Sequence, residues 1–180
     1  MPNVRLFLGS HLNSERLIEN YKLIQKDFSS VCHGKWVEAE NLHFTYHFIG
    51  DVNKTDADKM KNALSGLLGE YQCRIVLSGL GAFPKLKNPR VLFANIINYD
   101  ESLLKIHKET KGILSRFNYK EDKEIFKPHL TLVRIKDLKQ REFADLIASY
   151  KDYHLASFDT VSVELIQSKL TPKGPIYNLY

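Results

Sequence analysis

Cysteine is scarce in this chain, and long apolar runs are missing. The two cysteines among 180 residues, Cys32 and Cys73, lack the spacing of a metal knuckle or a disulfide framework. Both sit in mixed segments and are expected to be reduced, structural thiols. No stretch approaches the roughly 18 apolar residues of a membrane helix, so no membrane span is expected. The start, Val4-Arg5-Leu6-Phe7-Leu8-Gly9, turns polar too quickly for a secretory signal. No low-complexity segment or linker divides the chain, so one domain over residues 1–180, located in the cytoplasm, is expected. A decisive charge excess is also lacking. Lys and Arg number 26 against 21 Asp and Glu, a formal charge of +5, which permits an anionic partner without requiring one. Hydrophobic content of 43% and charged content of 26% are those of an ordinary globular protein.

What the chain does have is alternation. In Leu42-His43-Phe44-Thr45-Tyr46-His47-Phe48-Ile49, the residues Leu42, Phe44, Tyr46 and Phe48 form one apolar row. His43, Thr45, His47 and Ile49 form the other, and Gly50-Asp51 follows as a turn. This is the period of a half-buried strand. Lys127-Pro128-His129-Leu130-Thr131-Leu132-Val133-Arg134 repeats the arrangement, with His129 and Thr131 on one face. The histidines lie 86 residues apart (129 − 43), near half the chain.

Helical spacing predicts a helix capped by Asn13 or Ser14 that runs to Phe28, burying Leu17, Tyr21, Ile24 and Phe28. Thr55 with Asp58 predicts a second cap and a helix to Leu68. Further helices are expected over 102–117 and 138–150. Strands are expected over 4–8, 72–77, 90–97, 161–168 and 175–180, with loops at 79–84 and 118–124. Gly34–Val37 reads as the lead into the first histidine strand. The resulting order, β-α-β-α-β-β-α-β-α-β-β, favours an α+β fold over a doubly wound parallel sheet. Each half holds a histidine strand, a turn and an amphipathic helix. We therefore expect two pseudo-symmetric lobes, each an antiparallel sheet with helices, and a cleft where the histidine strands face each other.

Random placement would give roughly 0.2 His-x-Thr pairs in such a chain, and short motifs carry that false-positive risk. Periodicity alone fits two exposed polar pairs as well as a site. Chemistry supplies the sharper reading. Two imidazoles across a cleft can serve as base and acid, since histidine titrates near neutral pH. Each threonine, two residues on, can donate to an anion held between them. A phosphodiester suits this set. Zinc would need three or four placed ligands. His43, His47 and His129 are the one combination to consider, with no carboxylate or cysteine at fitting spacing, and no metal or cofactor is expected. His47 is read as a rim residue, and His11, His33, His107 and His154 as surface. Lys85, Lys87 and Arg90, with Phe83, could line a path for a nucleic acid strand. Trp36 and Phe7 could edge the cleft, although lone aromatics are more often core.

The doubled motif stands in surroundings that carry a resemblance. Arg5-Leu6-Phe7, Trp36-Val37, Asn41-Leu42-His43-Phe44-Thr45 and Phe48-Ile49-Gly50-Asp51-Val52 are followed by Gly79-Leu80-Gly81-Ala82-Phe83-Pro84 and Pro89-Arg90-Val91-Leu92-Phe93. Then come Phe126-Lys127-Pro128-His129-Leu130-Thr131-Leu132 and the tail from Ser168-Lys169-Leu170 to Gly174-Pro175-Ile176-Tyr177. Over nearly its whole length the chain resembles the two-histidine (2H) phosphoesterases, in particular their bacterial and archaeal 2′-5′ RNA ligase branch. The resemblance implies a bilobal α+β fold and a metal-independent site. It implies hydrolysis of RNA 2′,3′-cyclic phosphate ends to 2′-phosphomonoesters, with reversible 2′-5′ joining. His43 and His129 would be catalytic, with Thr45 and Thr131 on the phosphate. The expected partner is RNA with such ends, tRNA fragments included, met by a monomer. Tyr46 and His47 depart from the aliphatic and basic residues usual in the first motif. Arg134 matches an arginine that often follows the second, yet strict alternation points it away unless the strand ends or bulges. The alternative is a non-catalytic RNA- or nucleotide-binding module on the same fold, against which the two intact histidines argue.

Overall fold

Leu17, Tyr21, Ile24 and Phe28 recur at helical spacing, and in the computed structural model they form the buried face of α1 (Glu15–Phe28). The structure describes residues 3–117, 119, 125–172 and 174–180. Ser14 caps α1 by accepting a hydrogen bond from the Leu17 amide. Each of the four buried side chains contributes roughly 1.5–3 kcal/mol through the apolar surface it removes from water. The cap of α2 (Lys54–Leu64) is Asn53, which accepts from the Asp56 amide at 2.9 Å, and not the expected Thr55. Helices α3 (Ser102–Leu114) and α4 (Gln140–Ser149) fall where the periodicity places them.

Eight strands are described: β1 (Asn3–His11), β2 (Cys32–Trp36), β3 (His43–Asn53), β4 (Gly69–Phe83), β5 (Val91–Asn98), β6 (His129–Leu138), β7 (His154–Thr171) and β8 (Gly174–Leu179). All their pairings are antiparallel. The order is β2-β6-β5-β4-β7-β1-β3, with β8 hydrogen-bonded to β7. Within this order β3-β1-β7 mirrors β6-β5-β4, and the seam between the halves is the β4–β7 pair. The bilobal α+β expectation therefore holds, but the lobes are halves of one continuous sheet. The halves also exchange helices. Helix α1 leaves β1 yet packs on α4 of the other half through Phe28 and Phe143, whose rings lie 5.6 Å apart. Helix α3 leaves β5 yet packs on α2 and β3.

Three boundaries differ from the expectation. Cys32–Trp36 is a strand of its own, because its backbone completes the open edge of β6. The Gly79–Pro84 loop is instead the last part of β4 as far as Phe83, and its residues from Leu80 to Phe83 pair with β5. Strand β7 starts earlier than Val161 and serves both halves: residues from His154 to Val163 pair with β4, and Glu164–Gln167 with β1. The expected 118–124 loop lies outside the described residues, Tyr119 apart. Among the described residues no helix is long and apolar enough to cross a membrane.

Candidate active site

Both histidine strands bulge, at matching places. In β3, Leu8 pairs with His47 and Gly9 with Thr45, which leaves Tyr46 as an extra residue. Tyr46 and His47 then both turn inward, and Phe48 turns out to 59% exposure. In β6, Leu92 pairs with Val133 and Phe93 with Thr131, so Leu132 is the extra residue. Leu132 and Val133 are both buried, and Arg134 turns to the face of His129 and Thr131. Strict alternation is thus corrected twice. Phe48 leaves the core row for the cleft, and His47 leaves the face of His43 for the protein interior. Arg134 reaches the cleft by the bulge that its position requires.

His43, Thr45, His129, Thr131 and Arg134 line one cavity of about 460 Å³. The His43 Nδ1–H donates to the Asn41 carbonyl at 2.6 Å, and the His129 Nδ1–H to the Lys127 carbonyl at 2.9 Å. A carbonyl can only accept, so both Nδ1 atoms carry protons. The Nε2 of each ring is left for chemistry. Aromatic walls hold the two rings. His43 lies against Phe7 (4.9 Å between centroids) and Tyr177 (5.1 Å). His129 meets the edges of Phe83 (4.9 Å) and Phe93 (5.2 Å). Phe93 in turn covers Gly81, where a Cβ would come within 2.5 Å of its ring.

Burial pushes His43 down to about 4, aided by the neighbouring charges of His11, Arg134 and His129 and opposed by the bond to Asn41. His43 is therefore neutral at pH 7. Arg5, Lys35 and Arg134 line the same cavity, and Glu38 is its one carboxylate among the described residues. The net field favours an anion.

The sequence pattern missed several contributors. Tyr177 comes from β8, 134 residues after His43 (177 − 43), and no local signal marks it. His11 is not a free surface residue: its Nδ1–H donates to Glu164 Oε2 at 2.6 Å, and its ring lies 5.9 Å from that of His43. His107 stacks between His47 and Phe126, 4.3 Å from each. The His47 Nε2–H donates to Thr110 Oγ1 at 2.9 Å and to the His107 carbonyl at 3.1 Å, so this nitrogen is not open to a metal. His33 and His154 are exposed, as expected. Phe7 and Trp36 line the cavity. Phe83 lies beside His129, but Lys85, Lys87 and Arg90 are exposed and line neither this cavity nor the hollow next to it.

Comparisons with known proteins identify the family and the fold. The family model for "LigT like Phosphoesterase" matches twice, over residues 13–93 and 97–177, the two halves related by the pseudo-symmetry. A protein of Methanocaldococcus jannaschii named RNA 2′,3′-cyclic phosphodiesterase is 34% identical over 177 residues, covering 98% of each chain. One of the same name from Aquifex aeolicus is 32% identical over 186 residues, covering 99% of this chain and 96% of that one. Escherichia coli LigT, solved in complex with 3′-AMP, superposes with a TM-score of 0.76 at 19% identity, over 99% of this chain and 95% of that one. The chain belongs to the LigT-like phosphoesterase family of the 2H superfamily.

Proposed function

We propose that this chain is an RNA 2′,3′-cyclic phosphodiesterase in which His43 and His129 are the acid–base pair. The observation that carries the reading is the matched anchoring of the two imidazoles by the carbonyl two residues back, over one cavity that both line. The relatives' names supply the reaction class. His43, kept neutral by burial, accepts a proton from water as its oxygen attacks phosphorus. His129 delivers a proton to the 3′ oxygen as the P–O3′ bond breaks, leaving a 2′-phosphomonoester. Thr45 and Thr131 hydroxyls donate to the phosphate oxygens, and the Arg134 guanidinium offsets the developing charge. A 5′-hydroxyl in place of water gives a 2′-5′ link, which is the joining reaction.

RNA carrying such ends, tRNA fragments included, is the substrate. The place of action is the cytoplasm, a reading supported by the two buried free thiols, Cys32 and Cys73. Single variants of His43, His129, Thr45 and Thr131 to Ala, assayed on a 2′,3′-cyclic nucleotide and melted in parallel, test the proposal. Each histidine variant loses about 10²–10⁴-fold in turnover. Each threonine variant loses at most about 10²–10³-fold. A histidine variant with wild-type turnover and a normal melt overturns the two-histidine mechanism, whereas a wild type without turnover leaves only a binding module.

A further inference from the structure

The residue that faces each motif histidine across its strand pair differs between the two halves. His11 of β1 lies opposite His43, and Asn95 of β5 lies opposite His129. Two residues back on these strands, Gly9 and Phe93 match as well, since they pair with Thr45 and Thr131. On their other side, Gly9 pairs with Glu164 of β7 and Phe93 with Gly81 of β4. The half that carries His43 therefore has an imidazole and a carboxylate where the half that carries His129 has an amide and a glycine. The imidazole and the carboxylate meet. The His11 Nδ1–H donates to Glu164 Oε2 at 2.6 Å, which holds the ring. That ring lies 5.9 Å from the ring of His43, at an interplanar angle of 56°. Both His11 and Glu164 are half-buried, and neither lines the catalytic cavity.

We infer that His11, held by Glu164, is a positioning residue that assigns the role of base to His43. The inference rests on the proposed activity and names what sets its two histidines apart. A base must be without its proton when water reaches it. Protonated, His11 is the cation of an ion pair with Glu164. A cation whose ring lies 5.9 Å away opposes a second positive charge on His43. Asn95, in the matching place, carries no charge, and leaves His129 free to hold the proton that the departing oxygen needs. His11 itself faces Glu164 and His43. The other charged or titratable groups on the His43 cavity, among the described residues, are His129 and Arg134 of β6, Tyr177 of β8, Lys35 of β2, Arg5 of β1 and Glu38. Burial does most to keep His43 neutral, and His11 stands ahead of Arg134 and His129 among the charges that add to it.

The test follows kcat/KM on a 2′,3′-cyclic nucleotide against pH for the wild type, His11→Asn and His11→Lys. The first variant copies the residue of the other half, Asn95, and removes the charge. The second keeps a cation within reach of Glu164. The acidic limb should move upward in His11→Asn by about 0.5–2 pH units, the effect of one charge at 5.9 Å between bulk water and an effective dielectric constant of about 20. In His11→Lys the limb should stay near its wild-type position. A role in packing alone would move both variants alike. An unmoved limb in His11→Asn, or equal shifts in the two variants, overturns the inference and leaves the proposed activity standing. If the wild type turns over no cyclic nucleotide, the activity falls instead. Titration of the His43 ring followed by NMR then decides the inference alone. A higher titration point for His43 in His11→Asn than in the wild type upholds it, and equal points overturn it.

Discussion

Phe48 and Arg134 hold equivalent places in the two halves of the chain. Each lies five residues beyond its motif histidine (48 − 43 and 134 − 129). Each is turned into the cleft by a bulge whose extra residue directly follows the threonine. The symmetry that matches His43 to His129 and Thr45 to Thr131 is therefore broken at this position. One wall ends in an apolar ring and the other in a guanidinium. Under the proposed function, a nucleotide with its phosphate towards Arg134 and a base towards Phe48 suits both walls.

Substitutions at the two positions should act differently. Arg134→Gln removes a charge that matters most as negative charge develops, so kcat and kcat/KM should fall together, by about 10–10³-fold. Phe48→Leu removes a stacking surface worth roughly 1–3 kcal/mol. It should raise KM by about 5–150-fold and leave kcat nearly unchanged. Steady-state kinetics on an oligonucleotide with a cyclic phosphate end separates the two patterns. A kcat effect at Phe48 as large as that at Arg134 contradicts the assignment.

The pH dependence follows from His43. Its folded value, about 4, lies below its ordinary value of 6.5. Between these values the unfolded chain binds more protons than the folded one. The stability associated with a neutral His43 is thus complete above about pH 6.5 and is lost as pH falls towards 4. One pKa unit corresponds to about 1.4 kcal/mol, which bounds the loss at about 3 kcal/mol. Thermal melts from pH 7 to 4 should show a shallower decline for His43→Gln than for the wild type. The acidic limb of kcat/KM should lie below the usual histidine range and move upward in Arg134→Gln, since that cation helps to hold His43 down. An acidic limb at 6.5 or above in the wild type contradicts His43 as the base.

Metal dependence is tested by a chelator. His47 is turned away from His43 and donates its Nε2–H within the protein, so His43, His47 and His129 do not converge on one point. Turnover should survive excess EDTA unchanged. Loss of activity that zinc restores would require a ligand set other than this one.

Gly81 supplies a test of how the site is supported. A Cβ at this position meets the Phe93 ring at 2.5 Å, and that ring packs against His129. Gly81→Ala should destabilise the fold by about 1–3 kcal/mol through overpacking. It should also lower kcat by more than unfolding accounts for, because His129 must move with its wall. An unchanged kcat per folded molecule would separate Phe93 from the positioning of His129.

The residues that carry the proposed chemistry were readable from the sequence because they repeat: His43 with Thr45 and His129 with Thr131, each on an alternating strand. Helix faces were equally readable, since Leu17, Tyr21, Ile24 and Phe28 follow one period. The bulges were not. An extra residue is a property of pairing between two strands, and neither strand announces it alone. Phe48, His47 and Arg134 changed faces for this one reason. Residues that arrive from distant strands were hidden as well, notably Tyr177 on β8 and Glu164 on β7. His107 was hidden because its partners, His47 and Phe126, come from elements on either side of it in sequence.

Strand β7 pairs with β4 along one part of its length and with β1 along the next, so a single continuous backbone ties both halves of the sheet together. The spacing of the two reacting rings is consequently a matter of register. Side chains on one face of a strand recur every second residue, and two residues span roughly 6.6 Å. Slipping the seam by that smallest permitted step would carry one imidazole past the far side of a phosphate. The ladder across β4 and β7 thus works as a ruler: its register sets the gauge between the two motif strands.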